Sequence, residues 1–167
     1  MLNVSDVALY FIQKDINKEL FNKNLITRNG RSFYEGNARL NKYLHLAQNI
    51  YIAKTGRQLM DVSFYAYDNG AVVPHIQENY PILLKKADNI SDFNIDEEKA
   101  DFLDRFYIAF QNSDIDELIQ LSHEDPEWID KHKHYAKKEQ EMDSIKYIEN
   151  MKVQYANIIK VMDRINV

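Results

Sequence analysis

Residues 62–74, VSFYAYDNGAVVP, contain the clearest change of backbone pattern in the chain. Two sets of side chains alternate over the first half, as on the two faces of a strand: Val62, Phe64 and Ala66, and Ser63, Tyr65 and Tyr67. The pair Asn69-Gly70 then favours a tight hairpin turn, because both residue types tolerate positive φ. The return strand covers only 71–73, since Pro74 has no N–H for a ladder and suits the first turn of a helix. This stretch predicts a small β-hairpin that leads into a helix.

The residues before this stretch are mostly helical in pattern. Ser5 or Asn3 is placed to cap a first helix, whose apolar side chains recur at helical spacing: Val7, Ala8, Phe11, Ile12 and Ile16. Residues 22–37 carry two of the four glycines and are interpreted as a loop. An amphipathic helix is predicted over roughly 38–55, and Gly56 is expected to close it in the left-handed conformation. Its apolar face holds Leu40, Tyr43, Leu44, Ala47, Ile50 and Tyr51.

The residues after the hairpin also favour helices. A short helix is expected over 75–80, ending before Pro81. Asp96 and Asp114 are predicted N-caps, and Pro126 suits the first turn of a helix that carries Trp128. The helix after Asp96 is expected to turn four side chains inward: Leu103, Phe106, Tyr107 and Phe110. The predicted fold class is therefore mainly α (α+β), a compact helical domain with a small β-hairpin near 62–73.

A regular apolar stripe marks the last predicted helix, which covers about 143–165. Its members alternate steps of three and four residues: Ile148, Met151, Tyr155, Ile158, Met162 and Ile165. The spacing is that of a coiled-coil seam, but it lasts barely three heptads. Two interpretations remain open, a helix packed on the core of a single domain 1–167 and a seam through which two copies dimerise.

Composition limits the classes of function. The 167 residues suit one domain, and the absence of cysteine excludes disulfides, a thiol nucleophile and Cys-ligated metal. No signal peptide and no membrane span is recognisable, so a cytoplasmic location without membrane attachment is expected. The net charge is −5, and the basic stretch 131–138 is followed at once by acidic residues. This balance argues against a nucleic-acid partner, and with it against a DNA-binding regulator.

A metal-dependent hydrolase or nuclease is the enzyme hypothesis to weigh, because the chain has five histidines. A three-ligand site from His123, Asp125 and His132 is conceivable. His45 has no candidate ligand three or four residues away, and His132 and His134 point in different directions on a helix. No zinc-hydrolase spacing is present. Hydrogen-bonding or solvated histidines explain the pattern better.

Other catalytic patterns are missing from the sequence. No serine lies in a G-x-S-x-G elbow, and no glycine-rich phosphate loop occurs. Asp61 and Asp68 flank the predicted strand, but aspartates favour turns for their backbone hydrogen bonds. We therefore expect a protein that is not an enzyme and uses no cofactor.

Three segments, in order, resemble the Panacea domain, a family of bacterial and phage proteins that includes SocA-type antitoxins. LNKYLHLAQNIYIAKTGRQL (40–59) is similar to the family's Leu-x-Lys-Leu-Leu-Tyr-x-Ala-Gln helix and its Thr-Gly-x-x-Leu turn. VSFYAYDNGAVVP (62–74) resembles its strand and Gly-Pro-Val-Val-Pro segment. Tyr107 and LIQLSHEDPEW (118–128) resemble its later helices and its Ser/Thr-His…Pro-Trp element. The sequence departs from the family pattern at three positions: Ala71 stands where the family usually has proline, Asn69 replaces a usual aromatic residue, and Glu127 separates Pro126 from Trp128. The segment NLITRNGRSFYEGN (24–37) has no counterpart in the family pattern.

The resemblance implies a helical domain that works by contact with another protein. Members of the family neutralise a co-encoded toxin by binding it, and one type is an adaptor that delivers its toxin to a protease. No cofactor and no catalytic residue is implied. The partner-binding residues that we predict lie in two elements: Tyr65, Tyr67, Asn69, Val72, Val73, Pro74 and His75, and His123 and Trp128.

Each of these residues also has a structural interpretation. Val72, Val73 and Trp128 are residue types that are usually buried, and His123 suits a loop-bonding role. Tyr65 and Tyr67 are the most informative, because they face outward if Phe64 faces the core.

Overall fold

The structure is a computed structural model that describes residues 1–134 and 140–167. The N-terminal elements are β1 (Leu2–Asn3), α1 (Val4–Lys14), β2 (Leu25–Arg28), β3 (Arg31–Tyr34), α2 (Glu35–Thr55) and β4 (Met60–Asp61). The middle of the chain forms β5 (Phe64–Tyr67), β6 (Gly70–Val72), α3 (Pro74–Glu78), α4 (Tyr80–Ala87), α5 (Glu97–Phe110) and α6 (Ile115–His123). The last elements are α7 (Pro126–His134), β7 (Glu141–Met142), a 3₁₀ helix (Ser144–Tyr147), α8 (Ile148–Gln154) and α9 (Ala156–Asp163). The predicted fold class, mainly α with a small β component, is confirmed.

Helix α2 passes through the middle of the molecule. It ends at Gly56, which adopts the predicted left-handed conformation with φ 75°. The prediction of an amphipathic helix is wrong, because polar side chains on the other face, among them Lys42, His45 and Gln48, are buried as well. Buried polar groups need hydrogen-bond partners. The Gln48 side chain illustrates how they are satisfied, since its Oε1 accepts from the N–H groups of Leu59 and Met60, each at 3.0 Å.

The predicted hairpin is present as β5 and β6, and β7 joins it in a sheet of order β6-β5-β7. Tyr67 is paired with Gly70, so Asp68 and Asn69 form the loop. Gly70 has φ 102°, whereas Asn69 does not adopt positive φ. The predicted turn with both Asn69 and Gly70 at positive φ is therefore wrong, because the glycine begins the return strand instead of occupying the loop.

A second hairpin occupies the segment that we interpreted as a loop, residues 22–37. β2 and β3 pair antiparallel from Leu25 opposite Tyr34 to Arg28 opposite Arg31. The turn consists of Asn29 and Gly30, with φ values of 52° and 73°. This is the Asn-Gly turn with two positive φ values, and it sits 40 residues before the place where we expected it.

The segment after β6 differs from the prediction at its second proline. Pro74 starts α3 as expected, but α3 is short, and a further helix, α4, begins at Tyr80 with Pro81 in its first turn. Tyr80 is buried and donates its hydroxyl to the Asn22 carbonyl at 2.8 Å. The same hydroxyl would lie 2.2 Å from a Cβ at Gly36, so the start of α2 requires glycine at this close approach.

Most predicted helix starts are confirmed. Asn3 is the cap of α1, since its Oδ1 accepts from Ser5 N at 2.8 Å. Asp96 and Asp114 cap α5 and α6 in the same way. The end of α1 differs from the prediction, because the helix stops at Lys14 and leaves Ile16, expected on its apolar face, 86% exposed. Beside this helix, β1 pairs in parallel with β4.

The C-terminal segment is not the continuous helix that we predicted. A 3₁₀ turn precedes α8, and the helix is interrupted at Tyr155 before α9. Three members of the apolar stripe, Met151, Tyr155 and Met162, belong to the main hydrophobic core of the same chain. Within the part of the chain that the structure describes, no helix has the length and apolar character needed to cross a membrane.

Candidate partner-binding site

Side chains of α2 bond to strand β6 and to the residue that follows it. The Asn41 Oδ1 accepts from Val73 N at 2.9 Å, and Lys42 Nζ donates to the Ala71 carbonyl at 2.6 Å. The backbone N–H of Ala71 donates to Ser122 Oγ of α6 at 2.9 Å. A proline at position 71 would lack this N–H. The departure from the family pattern at Ala71 therefore allows an additional bond between the hairpin and α6.

Lys42 is almost completely buried, with 1% of its surface exposed. Burial disfavours the charged ammonium and lowers the pKa of Lys42 to about 7. The side chain also lies under the turn, since a Cβ added at Gly70 would be 2.8 Å from Lys42 Cε. The backbone conformation at the turn and the placement of this amine are thus linked.

A buried polar chain connects α2 to the loop between α6 and α7. His45 lies 3.0 Å from Ser122 Oγ through Nδ1 and 2.6 Å from Asp125 Oδ2 through Nε2. Asn49 donates to the same carboxylate oxygen at 2.8 Å. Burial raises the pKa of Asp125, but the hydrogen bonds from His45, Asn49 and the backbone outweigh it, so the net pKa lies below the ordinary value. These groups have no exposed surface for a substrate, so they act as a structural network.

Three aromatic side chains of α6 and α7 cover the turn of the β5–β6 hairpin. The Trp128 ring stacks on His123 with 4.1 Å between centroids and on His132 with 4.4 Å. Trp128 Nε1 donates to the Tyr67 carbonyl at 2.9 Å. His123 Nε2 lies 3.0 Å from the Asp68 carbonyl, and His132 Nε2 lies 3.0 Å from Asp68 Oδ1. The stack therefore fixes both the backbone and the carboxylate of the turn.

The tip of the β2–β3 hairpin contacts the same turn from the other side. Asn29 Nδ2 donates to Asn69 Oδ1 at 2.7 Å, and Asn69 Nδ2 donates to the Arg28 carbonyl at 3.1 Å. Arg31 Nε donates to Asp68 Oδ2 at 3.1 Å. An aromatic residue at position 69 could not make these amide bonds. The departure at Asn69 thus coincides with the hairpin that has no counterpart in the family pattern.

A cleft of about 170 Å³ lies between the two hairpins and above the start of α2. Its lining comes from β3, α2, the β5–β6 hairpin and α3: Arg31, Ser32, Phe33, Asn37, Ala38, Asn41, Tyr67, Asp68, Asn69, Val72 and Gln77. The Arg31 side chain is 63% exposed, so the cleft opens to solvent at that end.

The structure brings some of the predicted partner-binding residues together and separates others. Tyr67, Asn69 and Val72 line the cleft. Tyr65 is half-buried and lies opposite Val72 in the ladder. Val73 is a core residue, with 1% of its surface exposed.

The remaining predicted residues lie around this region. Pro74 is half-buried at the start of α3, and His75 is exposed beside it. His123 and Trp128 do not line the cleft, but they support the turn that forms one of its walls.

The metal-dependent alternative is not supported by the geometry. The Asp125 carboxylate faces His45 in the core, whereas His132 faces Asp68 at the hairpin turn. Over residues 1–134 and 140–167 no group of three or more candidate ligands is placed to hold a metal ion. The His134 side chain and residues 135–138 of the basic stretch lie outside the described part of the chain.

Glu127, the third departure from the family pattern, is buried next to the His45–Asp125 network, and its N–H donates to Asp125 Oδ1. Its Oε1 accepts from Asp143 N, which ties α7 to the residue after β7. Burial raises the pKa of Glu127 to about 7. Its Oε2 is buried without a hydrogen-bond partner among the described residues.

Several residues of the site were missed by the sequence analysis. Arg31, Phe33 and Asn37 all lie in the segment 22–37 that we interpreted as a loop. The Asn29-Gly30 pair was the available signal, because it favours the same tight turn that we recognised at Asn69-Gly70. The burial of Lys42 and Gln48 was missed because the groups that pair with them, such as the Ala71 carbonyl and the Leu59 N–H, lie outside the helix.

Comparison with known proteins gave one finding. The family model described as "Antitoxin SocA-like, Panacea domain" matches residues 40–129, slightly more than half of the 167 residues. Neither a curated protein nor a solved structure matches the chain. The matched region includes α2 from Leu40 onward, the β5–β6 hairpin, Ser122 and Trp128, and it excludes the β2–β3 hairpin. The resemblance that the sequence suggested is confirmed, and the chain belongs to the SocA-like antitoxin family with a Panacea domain.

Proposed function

We propose that this protein neutralises a co-encoded toxin by direct contact, and that the outer face of the β5–β6 hairpin with the adjoining cleft forms the contact surface. Membership of an antitoxin family supports a toxin protein as partner. The observation that carries the proposed location is the convergence on one cleft of Tyr67, Asn69 and Val72, three residues of the matched region.

The hairpin is suited to binding because its shape is fixed in advance. Asp68, for example, makes three such contacts: its carboxylate bonds Arg31 and His132, and its carbonyl bonds His123. A rigid surface loses less conformational entropy when a partner binds. The cleft therefore keeps its shape in the free protein.

Tyrosine side chains and charge support the same role. Tyr65 and Tyr67 are half-buried on the strand face opposite the buried Phe64 and Ala66. Tyrosine is enriched at protein interfaces because it combines an apolar ring with a polar hydroxyl. The net charge of −5 favours a basic toxin surface, chiefly by increasing the rate of encounter.

Co-expression with each adjacent reading frame tests this function. We expect one neighbour to arrest growth alone, to be tolerated when this protein is present, and to co-purify with it. If no neighbour is toxic or bound, the proposal is wrong. If the protein is an adaptor, the toxin level also falls with time. Deleting the cellular proteases one by one should identify the protease whose loss stops this fall.

The double variant Tyr65→Ala, Tyr67→Ala tests the location. We expect weaker toxin binding, by roughly 10- to 100-fold for the loss of two interface tyrosines. The matched control is Tyr147→Ala, which removes another half-buried tyrosine from the C-terminal segment. Equal binding by the double variant and the wild type would place the contact elsewhere, and melting temperatures separate lost contact from lost folding.

A further inference from the structure

The lining of the cleft indicates what kind of group fits it. We propose that the cleft receives one uncharged aromatic side chain of the partner protein, and that the β2–β3 hairpin selects for that side chain. This inference rests on the proposed function, because it names the contact made at the same site. The selecting wall, which includes Arg31 and Phe33, lies outside the family-matched residues 40–129.

The volume suits a single ring. The cleft measures about 170 Å³. A cavity of about 150 Å³ in another protein binds benzene, whereas sites for drug-sized ligands and cofactors occupy about 300–1,000 Å³. One aromatic side chain therefore fills the space, and a cofactor does not fit.

Three asparagine amides of the lining, those of Asn37, Asn41 and Asn69, are already paired with other protein groups. Asn37 Nδ2 donates to the Gln77 carbonyl at 2.9 Å, and Asn41 Nδ2 donates to the Asn37 carbonyl at 3.0 Å. The Asn69 amide is bonded on both sides to the β2–β3 tip. A polar occupant would have to displace these bonds, whereas Phe33 and Val72 offer contact surface to an apolar occupant at no such cost.

The charges of the lining favour a neutral occupant. Arg31 and Asp68 have opposite charges and are paired at 3.1 Å. A carboxylate would compete with Asp68 for Arg31, and an ammonium group would compete with Arg31 for Asp68. A neutral ring avoids both costs, and its face can accept the guanidinium of Arg31 at the open end of the cleft. This contact favours an aromatic over an aliphatic side chain.

The test uses the full chain and small probes of known chemistry. The probes are amide-capped phenylalanine, leucine, lysine and aspartate, each titrated at millimolar concentration into the ¹⁵N-labelled protein. We expect capped phenylalanine to shift the backbone amide signals of Phe33, Asn69 and Val72. Leucine is expected to shift them less at the same concentration, and lysine and aspartate to leave them unchanged.

A variant that fills the cleft provides the second arm. Ala38→Leu places a larger side chain in the cleft wall, and Ala156→Leu makes the same change on an exposed position of α9. We expect Ala38→Leu to weaken binding of capped phenylalanine by about tenfold or more, equivalent to at least about 1.4 kcal/mol. The Ala156→Leu protein should bind as the wild type does, and the amide spectra report whether each variant is folded.

The outcomes separate this inference from the proposed function. Shifts outside the cleft, equal shifts with leucine or a charged probe, or wild-type binding by folded Ala38→Leu would each overturn the cleft chemistry. Full rescue from the toxin by Ala38→Leu would overturn the role of the cleft and leave the antitoxin function standing. Selective binding of capped phenylalanine without any toxic neighbour would instead support the cleft chemistry while the antitoxin function fails.

Discussion

The outer hairpin, β2–β3, and the inner hairpin, β5–β6, contain the same dipeptide, Asn-Gly, in different conformations. At Asn29-Gly30 both residues adopt positive φ, and the turn is exposed. At Asn69-Gly70 only the glycine does, and it is buried as the first residue of β6. Local backbone preference suffices for the outer turn. The inner turn takes its shape from the side chains that surround it, so one sequence signal gives two conformations.

The two glycines differ most in their surroundings. A Cβ at Gly70 would lie 2.6 Å from Ser122 Oγ, whereas a Cβ at Gly30 would meet nothing within 4 Å among the described residues. Gly70→Ala therefore adds a steric clash to the cost of positive φ, and we expect a loss of about 3 kcal/mol in the free energy of unfolding. Gly30→Ala adds only the backbone cost, about 1 kcal/mol. Urea denaturation of both variants measures the difference, and equal losses would contradict it.

We expect the stability of the protein to depend on pH through Lys42, the residue of α2 that donates to the Ala71 carbonyl of the inner hairpin. The folded protein lowers the pKa of Lys42 from 10.5 to about 7, so between these values the unfolded chain binds more protons. The free energy of unfolding therefore rises with pH in this window, by about 2 kcal/mol from pH 7 to pH 9. Lys42→Met should abolish the rise, and Lys160→Met, at an exposed position of α9, should retain it.

Glu127 acts in the opposite direction and mainly below this pH window. Its pKa is raised from 4.5 to about 7, so between those values the folded state binds more protons. Its contribution therefore makes stability fall as pH rises toward 7 and levels off at about pH 8, opposite in sign to that of Lys42. A rise from pH 7 to pH 9 that persists in Lys42→Met would contradict the assignment to Lys42.

The smallest expected difference in stability between the two hairpins concerns two serines. Ser122 accepts from the buried Ala71 N–H, whereas Ser32 of the outer hairpin bonds the exposed Thr27 hydroxyl at 2.8 Å. Ser122→Ala leaves a buried donor without its acceptor, and we expect a loss of about 1 to 2 kcal/mol. Ser32→Ala should cost less than about 0.5 kcal/mol. Thermal or urea unfolding distinguishes them, and equal effects would mean that the inner hairpin does not depend on α6.

Local signals predicted much of the fold. The alternation predicted over 62–67 is confirmed for 64–67, and the caps Asp96 and Asp114 and the end at Gly56 are confirmed too. All of these features depend on residues close in sequence. The burial of the polar face of α2 depends on partners such as Asp125, 80 positions from His45. The pairing of β5 with β7 likewise joins distant residues. Sequence periodicity contains no information about such partners.

The residues of the candidate site were likewise predicted only in part. Tyr67, Asn69 and Val72 were predicted because they lie in one recognisable motif, and they line one cleft. The opposite wall, which includes Arg31 and Phe33, was missed because the β2–β3 strands are short and lack a continuous apolar alternation. The contact between Asn29 and Asn69 spans 40 residues, and only the folded structure reveals it.

The bonds that α2 and α6 make to β6 have a consequence for self-association. An edge strand usually offers its unpaired backbone groups to other chains, and this is a common route to aggregation. Here the outward N–H and C=O of Ala71 are occupied by Ser122 and Lys42, and the N–H of Val73 is occupied by Asn41. No further strand can extend the sheet on that side without breaking them. The hairpin can therefore present its side chains to a partner while its backbone stays protected from copies of itself.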